Sequence, residues 1–420
     1  MRIEIVCTGD EVLSGKTVNS NFSHISRRLE EVGLSVVWGT TVGDDRERLL
    51  EAFRLASGRA DAVIVNGGLG PTVDDLSQEV AALAAGDTLA LRPEWLDWME
   101  QFYRRRNRPM PPNNRKQAML PTTAELIDNP VGTACGFALD IGKARFFFTP
   151  GVPREMRRML DEEIIPRLLA KVGGQAVIRL KRFHSYGIGE SRVDHMLDGV
   201  LDLVPEGGVK LGFQTHFPQL ETKLAARGAT AEEVDAKLAP LIAEIRTRLG
   251  NFVIAEDDQS LEGVVLSALG AQGGTVAVAE LLTGGAIAGR LSQADRTAAV
   301  FRRGLLATTP EALAAGLGGP AVAGTDTAAA EAAARAIRMA SGTSHGLAVL
   351  VDHGGNLDKF DSDGGIALAI ATADSVVSRQ ARLVGDRDRV RTGAVEMGLD
   401  CLRRHLLGLP VDERVDFERV

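Results

Sequence analysis

The opening part of the chain alternates two hydrophobic periods, and this limits the fold more than any other feature. RIEIVCTG (2–9) alternates as a strand. From Asn19 to Val32, residues Phe22, Ile25, Leu29 and Val32 recur at helical spacing. LSVVWGTTVG reads as a second strand, Arg46 to Ser57 as a second helix, and DAVIVNGG as a third strand. Such a series over the first ~170 residues predicts a doubly wound α/β sheet, which takes ligands beyond the C-terminal ends of its strands. Two loops fall at such ends, TGDEVLSG (8–15) and NGGLGPTVDD (66–75).

The texture changes near Gly173. VIRLKRFHSYGIGES, VKLGFQTHFPQLETKLAARG and TAEEVDAKLAPLIAEIRTRLG predict a small α+β module over 171–254. EDDQSLEGVV then connects to a third unit, α/β, over 255–420, with Ser260 as the cap of a new helix. Between 311 and 340, 13 of 30 residues are alanine, which favours helix but specifies packing poorly. The first domain is assigned to 1–170.

With 420 residues the chain can bury two or three cores, and a net charge of -8 argues against nonspecific binding to nucleic acid or to an anionic membrane. Cys7, Cys135 and Cys401 lie far apart without CxxC spacing, as in a reducing compartment. The start, MRIEIVCTGDEV, is unlike a signal peptide, and no apolar run reaches membrane-spanning length. A cytoplasmic protein is expected.

Gly67, Gly68 and Gly70 permit backbone conformations closed to other residues and let a ligand approach the main chain. Thr72 adds a hydroxyl, and Asp74 and Asp75 stand where a helix should begin. Exposed N–H groups there suit phosphate, and carboxylates can hold a divalent cation between phosphate oxygens. The plainer reading is a glycine turn with a capping aspartate. TGDEVLSGKTVNSN contributes Asp10, Glu11, Lys16, Asn19 and Asn21, with Asn19 also readable as a helix cap. PPNNRKQAMLP (111–121) supplies Asn114 and Lys116, suited to anionic ligands or to a solvated helix start. TPGVPREM (149–156) is a further Gly/Pro turn, with Arg154 and Glu155 in the first turn of its helix. The seven histidines form no HxxxH or HxH pair; His353 reads as a surface-loop residue, and DKFDSDGG (358–365) lacks the terminal glutamate of a calcium loop.

GDEVLSGKTVNSN, TTVGDD, NGGLGPTVDD, NNRKQAMLP, NPVGTACGF and TPGVPREM, in this order, resemble the competence/damage-inducible CinA family; YGIGES and FVIAEDDQSLE match its middle region. The resemblance implies a MoaB/MogA-like molybdopterin-binding first domain, a KH-like module, and a C-terminal domain related to nicotinamide-nucleotide amidohydrolases. It further implies a homodimer and metal-dependent cleavage of ADP-ribose, a small-molecule nucleotide, by the first domain. A divalent cation (Mg²⁺, Mn²⁺ or Co²⁺) would serve, with potassium as a further ion. On this reading Asp74, Asp75 and Glu11 are catalytic, and Asp74, Asp75 and Asp10 are metal ligands. Gly67, Gly68, Gly70, Thr72, Asn19, Asn114 and Lys116 contact substrate. The alternative is a module that binds a nucleotide or pterin without turnover. One departure is Asp10, where the family reads G-T-E.

The amidohydrolase relatives carry A-E-S-C-T-G-G with a nucleophilic serine. This chain reads Ala279-Glu280-Leu281-Leu282-Thr283-Gly284-Gly285, which puts Leu281 at the serine. Thr308 and Leu313 align with a tyrosine and a lysine of the family, while GDRDRVR (385–391) is retained with Arg387 and Arg391. The expectation is a C-terminal domain that keeps the fold and has lost amide hydrolysis.

Overall fold

The computed structural model describes residues 1–172, 177–318, 324–352 and 363–419. His353 and positions 358–362 of the DKFDSDGG stretch lie outside the described residues. The chain forms two compact units, residues 1–179 with 227–234, and residues 180–226 with 235–420.

In the first unit, strands β1 (Ile3–Thr8), β2 (Val36–Val42), β3 (Ala62–Asn66), β6 (Glu125–Ile127), β7 (Gly136–Ile141) and β8 (Ala144–Thr149) make a six-stranded sheet in the order β2-β1-β3-β8-β7-β6. β2, β1, β3 and β8 run parallel; β7 and β6 are antiparallel additions. A two-stranded ribbon, β4 (Leu89–Leu91) with β5 (Met119–Pro121), stands apart from this sheet. Alternation along the strands feeds two cores. Val63, Val65, Phe146 and Phe148 enter one, with Phe53 from helix α3 (Arg46–Arg59) and Met99 from α5 (Pro93–Arg104). Ala62, Ile64 and Phe147 enter the other, with Ile25 and Leu29 from α2 (Ser20–Glu31) and Met156 from α6 (Pro153–Met159). Phe53 packs edge-on against Phe146 and Phe148 at 5.7 and 5.5 Å, the geometry that ring quadrupoles favour. Helices α1 (Asp10–Leu13), α4 (Ser77–Ala85) and α7 (Ile165–Val172) complete the unit. This is the doubly wound arrangement the alternation predicts. Its order reverses at β1, which is flanked by β2 and β3, so Thr8 and Asn66 end side by side at the switch point.

The second unit holds two sheets. In the order β10-β11-β9-β12, strands β9 (Val177–Tyr186), β10 (Val209–His216), β11 (Gln219–Gly228) and β12 (Val253–Glu256) accompany α8 (Glu190–Met196) and α9 (Ala231–Leu249). Leu220, Thr222, Leu224 and Ala226 alternate inward along β11. The other sheet contains β13 (Val276–Leu281), β14 (Phe301–Ala307), β15 (His345–Asp352), β16 (Asp363–Ala371) and β17 (Val376–Val384) in the order β14-β13-β15-β16-β17. Its helices are α10 (Leu261–Ala271), capped by Ser260 as expected, α11 (Ala286–Ala294), α12 (Pro310–Leu317), α13 (Thr327–Ser341) and α14 (Arg387–Leu406). The alanine-rich stretch packs closely instead of loosely. Ala329, Ala330, Ala333 and Ala334 of α13 are buried, and a β-carbon on Gly346 would sit 2.1 Å from the Ala334 carbonyl oxygen.

Helix α14 carries a buried ionic cluster. Asp400 accepts hydrogen bonds from Arg403 and Arg404, both at 2.8 Å, and Arg404 also pairs with Glu413. The Asp400 and Arg404 side chains are 2% and 0% exposed, so removing one partner strands a charge away from water. Asp400→Ala is expected to destabilise the full-length protein by about 3–5 kcal/mol, read as a lower urea midpoint. An unchanged midpoint would show that the cluster is not a structural anchor.

Candidate functional site

At the switch point a hydrogen-bond web ties the ends of β3 and β8 to the start of α2. The Asn66 amide donates to Thr149 Oγ1 at 3.1 Å and to the Pro150 carbonyl at 2.8 Å. Its own oxygen accepts from Asn21 Nδ2 at 2.9 Å, which also donates to the Gly151 carbonyl at 2.8 Å. Gly67 N–H donates to the Thr149 carbonyl at 2.9 Å. Asn66, Asn21 and Thr149 are buried. The loops after β1, β3 and β8 are thereby fixed around one cavity.

That cavity has a volume of about 540 Å³ and is lined by Thr8, Gly9, Glu11, Asp44, Gly67, Gly68, Leu69, Gly70, Pro71, Thr72, Asp74, Asp75, Gln117, Thr133, Ala134, Pro150, Gly151, Val152 and Glu155. Two of its glycines are sterically required. Gly68 has φ +69°, and a β-carbon there would lie 2.4 Å from Ser77 Oγ. A β-carbon on Gly67, at φ +113°, would lie 2.5 Å from Thr8 Oγ1. Ser77 Oγ in turn donates to the Gly67 carbonyl at 2.9 Å, so α4 grips the glycine turn.

The lining is strongly acidic. Glu11, Asp44, Asp74, Asp75 and Glu155 contribute carboxylates, and the lining contains neither lysine nor arginine. Burial pushes the Asp44 carboxyl up from its ordinary range, and the neighbouring charges of Asp10, Glu11 and Asp74 add to this against a hydrogen bond from the Asp10 backbone. Burial likewise raises Glu155, opposed by a 2.7 Å bond from Asn129 Nδ2. Like charges crowded in this way favour a bound cation.

Of the residues singled out in the sequence, Glu11, Gly67, Gly68, Gly70, Thr72, Asp74 and Asp75 line the cavity together. The other four stand outside its lining. Asn19 caps α2, accepting from Phe22 N–H at 3.0 Å. Asp10 and Asp44 form a reciprocal latch, each carboxylate accepting the other's backbone N–H at 3.1 Å. Asn114 is buried and donates to Tyr103 Oη and Gln117 Oε1, both at 2.9 Å. Lys116 donates to the Thr72 carbonyl and so braces the loop. Within the loop, Asp75 accepts from the Thr72 N–H at 2.8 Å and from its hydroxyl. Among the described residues, no three His, Cys, Asp or Glu side chains form a ready-made metal cluster. In the sequence Asp44 has no site role and Glu155 stands only in a helix's first turn, whereas Gln117 belongs to the cations and amides of PPNNRKQAMLP suited to anionic ligands. TTVGDD holds Asp44, but only the parallel pairing of β1 with β2, where Gly9 N–H meets the Val42 carbonyl at 3.1 Å, brings it to the cavity.

In the second unit, β13 runs into a tight turn before α11. Glu280 is fully buried and accepts from the Thr283 hydroxyl, from Ile287 N–H at 3.1 Å and from Ala288 N–H at 2.8 Å. It therefore caps α11 from the preceding strand. Leu282 takes φ +63°, a strained value for a residue with a side chain, followed by Gly284 and Gly285 at φ +75°. Leu281 and Leu313 are both fully buried in the core beside α13, whereas Thr308 is exposed.

These features define a doubly wound α/β domain followed by a small α+β module and a further α/β domain. Residues 4–170 match the model of the "Probable molybdopterin binding domain", 180–255 that of the "Damage-inducible protein CinA KH domain", and 258–406 that of the "CinA C-terminal domain". A CinA-like protein of Frankia casuarinae is 38% identical, covering 98% of this chain and 98% of its own. Nicotinamide-nucleotide amidohydrolase PncC of Shewanella oneidensis is 36% identical, covering 100% of this chain and 99% of its own. A solved CinA protein from Thermoplasma acidophilum, titled as of unknown function, is 34% identical over 39% of this chain and 96% of its own, with a TM-score of 0.37. The chain belongs to the CinA family.

The comparisons correct two functional expectations. A full-length relative is named an amidohydrolase and the C-terminal domain model matches, which overturns the picture of a degenerate amidohydrolase domain beside an ADP-ribose pyrophosphatase. The physical reason is the burial of Leu281. That position ends a buried strand and faces the core, so packing decides its side chain, and Leu282 after it is half-buried against the same core. For the pyrophosphatase expectation, the Thr72 hydroxyl and Asp75 carboxylate are committed to each other.

Gly68→Ala is expected to destabilise the loop by about 1–3 kcal/mol, because it forces a side chain into a left-handed conformation against Ser77. Urea denaturation of the full chain checks this; wild-type stability would mean that the turn adapts freely.

Proposed function

We propose that the first domain binds a phosphorylated small molecule of the nucleotide or pterin class as its complex with a divalent cation. One observation carries this reading: a glycine-turn cavity at a sheet switch point whose charged lining consists entirely of carboxylates. A bare phosphate would be repelled there. A phosphate already bridged to Mg²⁺ or a similar ion would not, and such ions accept one or two protein carboxylates together with ligand and water oxygens. One or two of the lining carboxylates Glu11, Asp44 and Asp74 would hold the cation. Gly67, Gly68 and Gly70 let the turn close against Thr8, Ser77 and Asp75, while Asp75, Thr72 and Lys116 keep the loop in shape. The cation would supply charge neutralisation. The buried, unpaired cysteines suit the cytoplasm, and no helix is long and apolar enough to cross a membrane among the described residues.

Calorimetry with Mg²⁺ and ADP should therefore show binding that EDTA abolishes. Asp44→Asn should weaken it at least fivefold with stability retained. Binding of equal strength without any divalent cation would overturn the reading.

A second reading concerns the C-terminal domain, for which the relative's name suggests hydrolysis of a nicotinamide-nucleotide amide. It is favoured by the Glu280-capped turn, which holds Leu282 in a strained conformation of the kind found at functional sites. The full chain should release ammonia from nicotinamide mononucleotide; no release above a protein-free blank would reject this reading.

A further inference from the structure

Beside the acidic cavity lies a run of opposite charge, YRRRNRPMPPNNRK (103–116). Arg104, Arg105, Arg106, Arg108 and Arg115 are all exposed. None of them forms an ion pair among the described residues, in a chain with 56 acidic residues to 48 basic ones. Arg105 and Arg106 donate instead to the backbone carbonyls of Gln101 and Phe102, at 3.4 and 3.3 Å, and the Arg106 guanidinium lies 3.5 Å from the Phe102 ring centroid.

Complementing the helix dipole explains only part of this. α5 ends at Arg104 with Arg105 as its cap, so cations are favourable at those two positions. Arg108 and Arg115 lie beyond the helix and gain nothing from its dipole. Five like charges within twelve residues repel one another, a cost that a bound anion would relieve.

The run is also tied directly to the cavity. Tyr103, at the root of the arginines, receives a hydrogen bond from Asn114, which donates also to Gln117. Gln117 lines the cavity and donates to the Leu69 carbonyl in the glycine turn at 3.1 Å. Lys116 holds the carbonyl of Thr72, another lining residue. A relay of Tyr103, Asn114 and Gln117 thus runs from the backbone that carries the arginines to the lining of the cavity.

We infer that this arginine run is a second anion subsite of the same ligand site. On the reading proposed above, the ligand carries two separated anionic groups. One enters the cavity bridged to the cation, and the other, bare, lies on Arg105, Arg108 and Arg115. Guanidinium groups suit that part, since they bind phosphate or carboxylate oxygens in pairs and stay charged at any physiological pH.

The test compares two probes with Mg²⁺ on the full chain by calorimetry: ADP, whose phosphates are contiguous, and adenosine 3′,5′-bisphosphate, whose phosphates are separated. Wild type should bind the bisphosphate at least tenfold more tightly than ADP. The double variant R105E/R108E should lose that preference while its affinity for ADP changes less than twofold. Binding of both probes with no preference, or a preference that survives charge reversal, would overturn the subsite and leave the cavity reading intact. Failure of wild type to bind either probe would overturn both. Tighter, steeply salt-dependent binding of a single-stranded oligonucleotide, lost in R105E/R108E, would assign the arginines to nucleic acid and equally overturn the proposal.

Discussion

The first unit depends on the Asn66 side chain. A parallel sheet leaves its strand ends as separate loops, and burial of their polar backbone must be compensated. One amide does this for the loop after β8 by donating twice, and it links α2 through Asn21 by accepting once. Aspartate, nearly isosteric, would lose both donations and leave a buried charge. The glycine turn then starts from a fixed point, and its positive-φ residues let it close against Thr8 and Ser77.

Charge is sorted over short distances in that unit. Carboxylates line the cavity, while arginines gather on the neighbouring segment, and the Asn114–Gln117 relay lies between them. Neither group is neutralised by the other. The chain's net charge of -8 conceals this separation, because a sum over the sequence carries no positions. A ligand site with both signs discriminates by the order of charges along the ligand as well as by their total.

How much was legible in the sequence follows from the range of each interaction. The alternating periods, the Asn19 and Ser260 caps and the glycine turn are local patterns, and they appear where the residues place them. The roles of Asn114 and Lys116 could not be read locally, since a polar side chain in a loop can face ligand or protein with the same neighbours in sequence. Both face protein. Asp44 enters the cavity through strand pairing, and Glu155 through a helix more than a hundred residues after β1. Leu281 misled for the opposite reason: alignment gave it a role, whereas the burial of β13 decides which way it faces.

Helix α13 shows what a sheet and a helix become without large side chains between them. At Gly346 its alanines bring backbone against backbone, so little side-chain volume is left there to absorb an added atom. Growth at any of these positions would be passed on whole, moving α13 as a rigid rod away from β15. The same sheet carries the Glu280 turn on β13, next to the edge strand β14, and α13 also covers β13. The stretch that looks simplest in the sequence is therefore the gauge that sets the depth of the turn.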